Sequence, residues 1–304
     1  MRDLVIIGAG PAGLSAGIYG KRAGLDTVII EESGIGGGQV LTTYDVDNYP
    51  GMPGISGMEL GTKMHEHAIA EGVEFIEAAV TGIEIAGDVK RIKTSSEEVE
   101  AKAVIIATGA VHNHLGIPGE EELGGMGVSY CATCDGAFFR NRVTAVIGGG
   151  DVALEDAIFL ARGCSKVYLI HRRDEFRGAK KLADIVKATE NIEILYDTVP
   201  DKITGSDAVE GLDVHNVKTN ETKSLTLDGV FIAVGTHPVT EYLKGVVDMD
   251  ERGYIRAGED CATNIPGVYA AGDVRTKALR QIVTAASDGA NAVTSATGYI
   301  NSLR

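Results

Sequence analysis

The chain lacks tryptophan, has only four cysteines, and has no apolar run near the roughly 18 residues that a membrane-spanning helix needs. No membrane span is therefore expected. Basic residues are also few: the chain has 28 Lys and Arg and 43 Asp and Glu, which gives a net charge of −15. A protein that binds the nucleic-acid backbone needs a basic face, so nucleic acid is not expected as a partner.

The amino-terminal sequence MRDLVIIGAG has only the short apolar run LVII before its first glycine. It lacks the apolar region of a secretory signal peptide, so the reducing cytoplasm is the expected location. Glycine is abundant, with 40 residues, and 44% of the residues are apolar, which is typical of a globular protein with many tight turns. A length of 304 residues suggests about two domains.

The sequence contains a repeat. Residues 4–31, LVIIGAGPAGLSAGIYGKRAGLDTVIIE, align without gaps with residues 144–171, TAVIGGGDVALEDAIFLARGCSKVYLIH. Each copy reads as a short apolar strand, a glycine-rich turn, a helix and a second apolar strand. We therefore predict an α/β fold with two Rossmann-like dinucleotide-binding domains.

Three small residues have distinct roles in such a turn. The first permits the bend, the second lets a pyrophosphate approach the backbone, and the third lets the helix pack closely on the strand. The free N–H groups of the helix N-terminus then face the phosphates. In the two copies these positions are Gly8, Gly10 and Gly13, and Gly148, Gly150 and Ala153.

The two copies differ at the end of the second strand, where the ligand is selected. The first copy ends in Glu31, whose carboxylate suits ribose hydroxyls and would repel a 2′-phosphate. The second ends in the basic sequence HRRDEFR, whose guanidinium groups suit a 2′-phosphate. The chain is therefore predicted to bind two different dinucleotides, only one of them with a 2′-phosphate. The basic residues concerned are His171, Arg172, Arg173 and Arg177.

The end of the chain is predicted to return to the first domain. Residues 266–273, PGVYAAGD, read as a strand that places Asp273 at its carboxyl end, where ligands bind in open α/β sheets. A helix rich in small residues is predicted from about Leu279 through Ala296, and its N-terminus can stabilise negative charge on a bound ring. Because the tail after about residue 241 is too short for a third domain, the second domain is expected to be an insertion into the first.

Taken together, these motifs resemble the bacterial-type low-molecular-weight thioredoxin reductases over the whole chain. The motifs are GAGPAG at 8–13, GGQ at 37–39, DNYPG at 47–51, ATG at 107–109, CATCDG at 131–136, GGGDVA at 148–153, HRRDEFR at 171–177 and AGDVRTKALRQIVTAASDGA at 271–290. The resemblance implies an FAD-binding domain at 1–113 and 241–304 and an NADPH-binding domain at 114–240. It also implies a homodimer and thioredoxin as the protein substrate.

The resemblance also implies which residues bind the cofactors. The residues expected around FAD are Gly8, Gly10, Gly13, Glu31, Gln39, Asn48, Asp273, Arg280 and Gln281. The residues expected around NADPH are Gly148, Gly150, Ala153, His171, Arg172, Arg173 and Arg177.

Cys131 and Cys134 form the C-x-x-C pair of CATCDG. A structural zinc site needs four ligands, whereas Cys164 and Cys261 stand singly and no H-x-x-x-H pair accompanies them, so no metal is expected. A disulfide that closes so short a loop contributes little to stability. We interpret the pair as a redox centre, and the resemblance implies that Asp135 donates and accepts its proton.

Electrons are then expected to pass from NADPH to FAD, to the Cys131–Cys134 disulfide, and to thioredoxin. The family rotates the inserted domain between the half-reactions, and the crossovers near 110–118 and 238–245 are the predicted hinges.

Three positions depart from the family pattern. Val152 stands where Ser or Thr is usual, Met126 stands where Arg is expected, and AVHNHL at 110–115 lacks the usual proline and basic residues. These changes affect the partner-facing surface or nucleotide affinity rather than the redox pair.

Two alternatives stay open. The same scaffold can serve another donor, such as ferredoxin, or another dithiol protein. Relatives that use ferredoxin typically lose the glycine turn and the HRR cluster, and both are present here. A flavin-binding redox sensor without turnover is the other alternative, but a sensor needs neither CATCD nor a second nucleotide site.

Overall fold

The two copies of the repeat fold in the same way in a computed structural model, which describes residues 1–43 and 46–303. The first copy runs through strand Arg2–Ile7, helix Pro11–Arg22 and strand Thr27–Glu31. The second runs through strand Val143–Ile147, helix Asp151–Ala161 and strand Lys166–Ile170. The first strands end at residues 7 and 147 and the helices begin at 11 and 151, so both offsets are 140 (147 − 7 and 151 − 11). Each predicted strand–turn–helix–strand segment is present.

The elements are numbered in chain order. The strands are β1 Arg2–Ile7, β2 Thr27–Glu31, β3 Glu74–Glu77, β4 Val80–Ala86, β5 Val89–Thr94, β6 Glu98–Ile106, β7 Ala110–His112, β8 Val128–Ser129, β9 Val143–Ile147, β10 Lys166–Ile170, β11 Ile192–Leu195, β12 Thr198–Gly205, β13 Val209–Asn216, β14 Thr222–Thr226, β15 Gly229–Ile232, β16 Thr236–Pro238 and β17 Val268–Ala270. The helices are α1 Pro11–Arg22, α2 Gly57–Ala70, α3 Ala132–Asp135, α4 Asp151–Ala161, α5 Lys180–Ala188 and α6 Ile282–Ser302. Short 3₁₀ turns lie at Gly38–Thr42, Gly136–Phe139, Glu241–Leu243 and Gly272–Val274.

The chain divides into two units. The discontinuous unit consists of Met1–Val111 and His237–Arg304, and the inserted unit consists of His112–Thr236. The chain thus changes unit after residues 111 and 236, a few residues before the predicted boundaries at 113 and 240. Which nucleotide each unit binds stays a prediction.

The sheet of the discontinuous unit has the order β3-β2-β1-β6-β5-β4, and β17 also pairs with β6. Strands β3, β2, β1, β6 and β17 are parallel, whereas β4 and β5 form an antiparallel edge. The tail therefore adds a strand beside β6 and completes the first unit. Strand β1 reads RDLVII because a parallel strand in the middle of a sheet is buried on both faces.

Alternate residues of β1 enter two different cores. Leu4 and Ile6 face a core shared with α1 and α6, and Val5 and Ile7 face a core that includes Leu243. This separation follows from the two-residue period of a strand. Helices therefore cover one face of the sheet, and both faces of β1 are packed where the strand enters the glycine turn.

The inserted unit contains a parallel sheet of order β11-β10-β9-β15-β8 and a separate antiparallel sheet of order β12-β13-β14. The predicted α/β fold with two dinucleotide-binding units is confirmed. Both boundaries of the last helix differ, because α6 spans Ile282–Ser302 rather than beginning near Leu279 and ending near Ala296. Within the described residues, no helix is long and apolar enough to cross a membrane.

Candidate functional site

The predicted redox pair is a disulfide in the structure. Cys131 and Cys134 are bonded, and their Cα atoms lie 5.3 Å apart. Cys131 precedes α3 as its N-cap residue, and its carbonyl oxygen accepts from the N–H groups of Cys134 at 3.2 Å and Asp135 at 3.1 Å. Both sulfur-bearing side chains are half-buried. The local turn therefore holds the two cysteines within bonding range of each other.

Ser129 organises this turn, although the sequence analysis did not single it out. Its hydroxyl donates to Asp135 Oδ2 at 2.5 Å and accepts from the Cys131 N–H at 3.0 Å. The side chain is buried at the end of β8. The only sequence signal was a serine two residues before the first cysteine of CATCDG. One hydroxyl thus orients the carboxylate that is predicted to transfer protons.

The other two cysteines are not redox groups. Cys164 and Cys261 are free thiols and are buried. Burial raises the pKa of Cys164, and burial together with Asp288 raises the pKa of Cys261 to about 12. Because the thiolate is the reactive form, both thiols are inert. Among residues 1–43 and 46–303, no group of three or more His, Cys, Asp or Glu side chains could hold a metal ion.

The first glycine turn joins β1 to α1. Gly8 adopts a φ of 100°, and a Cβ there would lie 2.6 Å from the Ala107 carbonyl oxygen. A Cβ on Gly13 would lie only 1.8 Å from the Gly8 carbonyl oxygen. Both positions therefore need glycine because of the protein's own packing, as the turn geometry predicts.

Glu31 lies beside this turn at the end of β2. Its Oε2 accepts from the Ala9 N–H at 2.7 Å, and its Oε1 accepts from the Ser33 hydroxyl at 2.9 Å. The Ala9 carbonyl oxygen accepts from the Gly37 N–H at 2.7 Å, which holds the GGQ segment against the turn. The carboxylate predicted to meet ribose hydroxyls is therefore fixed at the carboxyl edge of the sheet.

Asp273 follows β17 in a 3₁₀ turn, close to where the sequence placed it. Its Oδ1 is buried and has no hydrogen-bond partner within the part of the chain that the structure describes. Burial raises the pKa of this carboxyl, although Lys277 and Arg280 oppose the shift. A buried oxygen without a partner is costly unless a ligand donates to it.

Asp288 of α6 holds the loop that carries Asp273, and the sequence analysis missed it. It accepts from Arg275 Nε at 2.8 Å and Nη2 at 2.7 Å, from Lys277 Nζ at 2.9 Å, and from the Gly272 N–H at 2.9 Å. Its pKa is below the usual range because, although burial raises it, hydrogen bonds from Arg275 and Lys277 outweigh burial. A single carboxylate in a helix otherwise rich in small residues was the available signal.

Three of the remaining residues predicted around FAD cluster near the start of α6. Arg280 donates through Nε to the Asp273 carbonyl oxygen at 3.3 Å, and its guanidinium lies 4.1 Å from the centre of the Tyr254 ring. Asn48 Nδ2 donates to Gln281 Oε1 at 2.9 Å, which joins DNYPG to the AGD segment. Gln39 is exposed in the 3₁₀ turn beside the glycine turn. The discontinuous unit thus brings its distant motifs to one region.

The second glycine turn joins β9 to α4. A Cβ on Gly148 would lie 2.4 Å from the Ala233 carbonyl oxygen and 2.7 Å from the Ala153 Cβ. His171 is buried, and a Cβ on Gly149 would lie 2.1 Å from its Nδ1. The His171 imidazole therefore packs directly against the backbone of the turn at Gly149.

Three arginines beside this turn present exposed guanidinium groups. The Arg177 N–H donates to the Gly149 carbonyl oxygen at 2.8 Å, so the basic segment is bonded to the glycine turn. Arg172, Arg173 and Arg177 are exposed, and none forms an ion pair with another residue that the structure describes. Val152, at the start of α4, is 58% exposed and offers no hydroxyl. The arrangement matches a site for a 2′-phosphate.

The second glycine of each turn has ordinary backbone angles and open space beside it. Gly10 has φ −71° and ψ −178°, and Gly150 has φ −95° and ψ −177°, which any residue can adopt. A Cβ at either position would meet no atom within 4 Å. The protein itself therefore does not require glycine there, whereas a pyrophosphate close to the backbone does. FAD and NADPH fit these two turns.

Comparisons with known proteins agree with this chemistry. The sequence profile of the family "Pyridine nucleotide-disulphide oxidoreductase" matches residues 2–289. The chain is 44% identical to a thioredoxin reductase of Listeria innocua, covering 99% of this chain and 95% of that protein. It is 43% identical to a thioredoxin reductase of Bacillus subtilis, covering 99% and 96%.

Solved structures give the same result. The thioredoxin reductase of Streptococcus pyogenes has a TM-score of 0.95 at 46% identity, with 99% of each chain covered. That of Lactococcus lactis in the FR conformation has a TM-score of 0.69 at 45% identity, covering 99% and 100%. A ferredoxin-flavin thioredoxin reductase of Clostridium acetobutylicum has a TM-score of 0.54 at 30% identity, covering 99% and 98%. The chain therefore belongs to the pyridine nucleotide-disulphide oxidoreductases, a family of flavoprotein enzymes, and its cofactors are FAD and NADPH.

Proposed function

We propose that the protein is a thioredoxin-disulfide reductase that uses NADPH. The observation that carries this proposal is the Cys131–Cys134 disulfide, which lies in the same unit as the second glycine turn and its exposed arginines. The curated relatives with 43% and 44% identity over nearly the whole chain are thioredoxin reductases, which supports thioredoxin as the substrate.

The proposal also includes which residues hold each cofactor, and the geometry of each unit supports it. FAD is held in the discontinuous unit by Gly10, Glu31, Asp273 and the start of α6. NADPH is held in the inserted unit by the turn at Gly150 and by the arginines of HRRDEFR. When bound, FAD relays two electrons from the NADPH hydride to the cysteine pair.

The reduced cysteines then act as a dithiol. One thiolate attacks the disulfide of thioredoxin, forms a mixed disulfide and releases one thiolate of thioredoxin. The second cysteine attacks the mixed disulfide, which releases reduced thioredoxin and restores the Cys131–Cys134 bond. Asp135, oriented by Ser129, gives a proton to the departing sulfur and takes one from the attacking thiol. Two electrons thus leave the enzyme for each thioredoxin reduced.

Rotation of the inserted unit, a homodimeric state and a cytoplasmic location complete the proposal. The relatives of Streptococcus pyogenes and Lactococcus lactis have similar identities, 46% and 45%, but TM-scores of 0.95 and 0.69. Solved members of the family thus do not all share one overall arrangement, which supports rotation about the crossovers near 110–118 and 238–245. A cross-link that locks the two units should stop turnover, and normal turnover in the locked form would contradict the rotation.

The experiment that tests the function is an anaerobic NADPH titration of the purified holoenzyme, followed by the flavin absorbance and by counting thiols. Uptake of about four electrons per subunit with two new thiols is expected, because flavin and disulfide each accept two. Oxidised thioredoxin should then restore the starting spectrum. If reduced enzyme is not reoxidised by thioredoxin, another dithiol protein is the substrate.

A ferredoxin-dependent reaction is the second candidate, because a ferredoxin-flavin thioredoxin reductase shares 30% identity with this chain. The exposed arginines beside the second glycine turn favour NADPH. A flavin that stays oxidised in excess NADPH but is reduced by ferredoxin would decide for the second candidate.

A further inference from the structure

A polar network surrounds Tyr130, the residue that immediately precedes the redox pair. The Tyr130 hydroxyl donates to Glu120 Oε1 at 2.7 Å. Glu120 is buried, with 2% of its surface exposed. The function proposed above uses neither side chain. Burying a carboxylate costs free energy unless hydrogen bonds replace its contacts with water. The hydrogen-bond partners of Glu120 therefore show what holds it there.

Glu120 also holds the segment that begins the inserted unit. Its Oε2 accepts from the Gly116 N–H at 2.7 Å and from the Leu115 N–H at 3.0 Å. Although burial raises the pKa of Glu120, the hydrogen bonds from Tyr130, Leu115 and Gly116 outweigh burial and lower it. The carboxylate is therefore ionised and connects the first crossover segment to the residue before Cys131.

Two histidines of the HNH sequence enclose the tyrosine. The His112 ring stacks on Tyr130 with centroids 5.0 Å apart and an interplanar angle of 23°, and His114 meets its edge at 5.4 Å. His114 Nδ1 lies 2.9 Å from the Tyr130 hydroxyl oxygen and 3.3 Å from Glu120 Oε1. The single hydroxyl proton points to Glu120, so Nδ1 of His114 serves as the donor to these oxygens. The tyrosine is therefore held by its ring and by its hydroxyl.

We propose that Tyr130 and Glu120 are positioning residues for the Cys131–Cys134 pair. Ser129 and Tyr130 are consecutive and hold the redox turn by separate bonds. Ser129 bonds within the turn, to the Cys131 N–H and Asp135. Tyr130 bonds outside it, to Glu120. The backbone entering Cys131 is thus fixed independently of the disulfide itself.

This arrangement affects how readily the disulfide forms. The structure has the disulfide closed and the Tyr130–Glu120 bond made. Because the backbone before Cys131 is already fixed, less conformational entropy is lost when the disulfide forms. Without the Tyr130–Glu120 bond the disulfide should be easier to reduce. The effect on turnover, but not the effect on the disulfide, rests on the proposed function.

The test compares Tyr130→Phe with Tyr168→Phe. Tyr168 lies on β10, and the two tyrosines pack against the same hydrophobic cluster, but Tyr168 is not bonded to Glu120. Each holoenzyme is equilibrated in dithiothreitol redox buffers and quenched with an alkylating reagent. Mass spectrometry of the peptide that contains Cys131 and Cys134 then gives the oxidised fraction. This readout requires neither NADPH nor thioredoxin, so it stands even if the proposed substrate is wrong.

The expected result for Tyr130→Phe is a shift of the equilibrium toward the dithiol by threefold to tenfold. A tenfold change corresponds to about 30 mV in the reduction potential. Tyr168→Phe should stay within twofold of the wild-type protein. Glu120→Gln, which keeps the shape but removes the charge, should shift the equilibrium in the same direction. The double variant should shift it no further than the larger single effect, because the Tyr130–Glu120 bond is already lost in either single variant.

Turnover gives a second readout. With NADPH and thioredoxin, Tyr130→Phe should lower kcat while KM for NADPH changes by less than twofold. An equilibrium within twofold of wild type for both Tyr130→Phe and Glu120→Gln would overturn the proposal. An equal shift in Tyr168→Phe would also overturn it, because the effect would then reflect general loosening of the fold.

Discussion

Replacement of Asp288 by Asn tests how the loop that carries Asp273 is held. Asp288 accepts four hydrogen bonds, two of them from Arg275, and its side chain is 6% exposed. Arg275 and Lys277 are also nearly buried, at 10% and 7% exposure. Asn preserves the shape and one acceptor oxygen, but it removes the carboxylate charge that both buried cations contact.

The expected cost follows from the burial of all three groups. Breaking a buried ion pair by removing one partner costs about 3–5 kcal/mol. Since Asn retains one acceptor, the lower end, about 3 kcal/mol, is expected, which is a factor of roughly 100 in the folding equilibrium. The Gly272 N–H also loses a charged acceptor, so the turn that carries Asp273 loosens and FAD affinity falls.

The assay is urea-induced release of FAD, followed by the rise in flavin fluorescence. The Asp288→Asn midpoint should fall well below that of wild type. Asp248→Asn, an exposed substitution in the same unit, should leave it unchanged. A difference below about 0.5 kcal/mol between Asp288→Asn and wild type would refute the reasoning, since that is the range of ordinary surface substitutions.

The pH dependence supplies a further check. The pKa of Asp288 in the folded protein lies below its usual value, because the hydrogen bonds from Arg275 and Lys277 outweigh burial. A carboxyl with a depressed pKa contributes stability that is present above its unfolded pKa of about 3.9 and is lost as pH falls through the folded pKa. The difference between the variant and wild type should therefore be constant near neutral pH and shrink below about pH 4. A difference that grows on acidification would contradict this account.

Four other experiments test the sites separately. Gly10→Ala should lower FAD affinity at least about 100-fold in a fluorescence titration while the apoprotein melts normally, because a Cβ there meets no protein atom within 4 Å; full FAD content would contradict the site. The double change Arg173→Ala and Arg177→Ala should raise KM for NADPH by about 30-fold and leave KM for NADH unchanged, since each lost contact to a phosphate costs about 1 kcal/mol at an exposed position; equal effects on both would exclude a 2′-phosphate site. Cys134→Ser should take up about two electrons in the anaerobic titration instead of about four and produce no new thiols; two new thiols in this variant would contradict the assignment of the pair. Ser129→Ala should lower kcat with thioredoxin by about tenfold, with recovery in Ser129→Thr, because both hydroxyls can donate to the carboxylate; an unchanged kcat would remove Ser129 from the site.

Several features were predictable because they depend on local sequence. A strand, a glycine turn and a helix are neighbours along the chain, so GAGPAG and GGGDVA each indicated a βαβ segment, and the structure confirms both. The resemblance to the thioredoxin reductases was likewise confirmed, and with it the enzyme class and the cofactors. The C-x-x-C spacing placed the cysteine pair, but its redox interpretation also needed the lack of further zinc ligands in the sequence and the motifs of the rest of the chain.

Other features were not predictable, because their partners are distant in sequence or their environment is set by packing. Asn48 and Gln281 bond across 233 positions, and Asp288 reaches back 16 positions to the Gly272 N–H. His171 was expected at the nucleotide, and the structure buries its ring beneath Gly149. None of these placements follows from a local pattern.

The sequence by itself indicated the two βαβ segments and predicted different ligands at the ends of β2 and β10. These inferences depend on residues within one strand–turn–helix segment, where backbone geometry and spacing carry the signal. The redox interpretation of the cysteine pair also needed the motifs of the rest of the chain. Only the tertiary structure decided that Asp288 holds the Asp273 loop and that Glu120 holds Tyr130 before the disulfide. Whether a buried carboxylate is ionised or neutral depends on the hydrogen-bond donors around it. Folding brings those donors from distant positions, so the local sequence does not identify them.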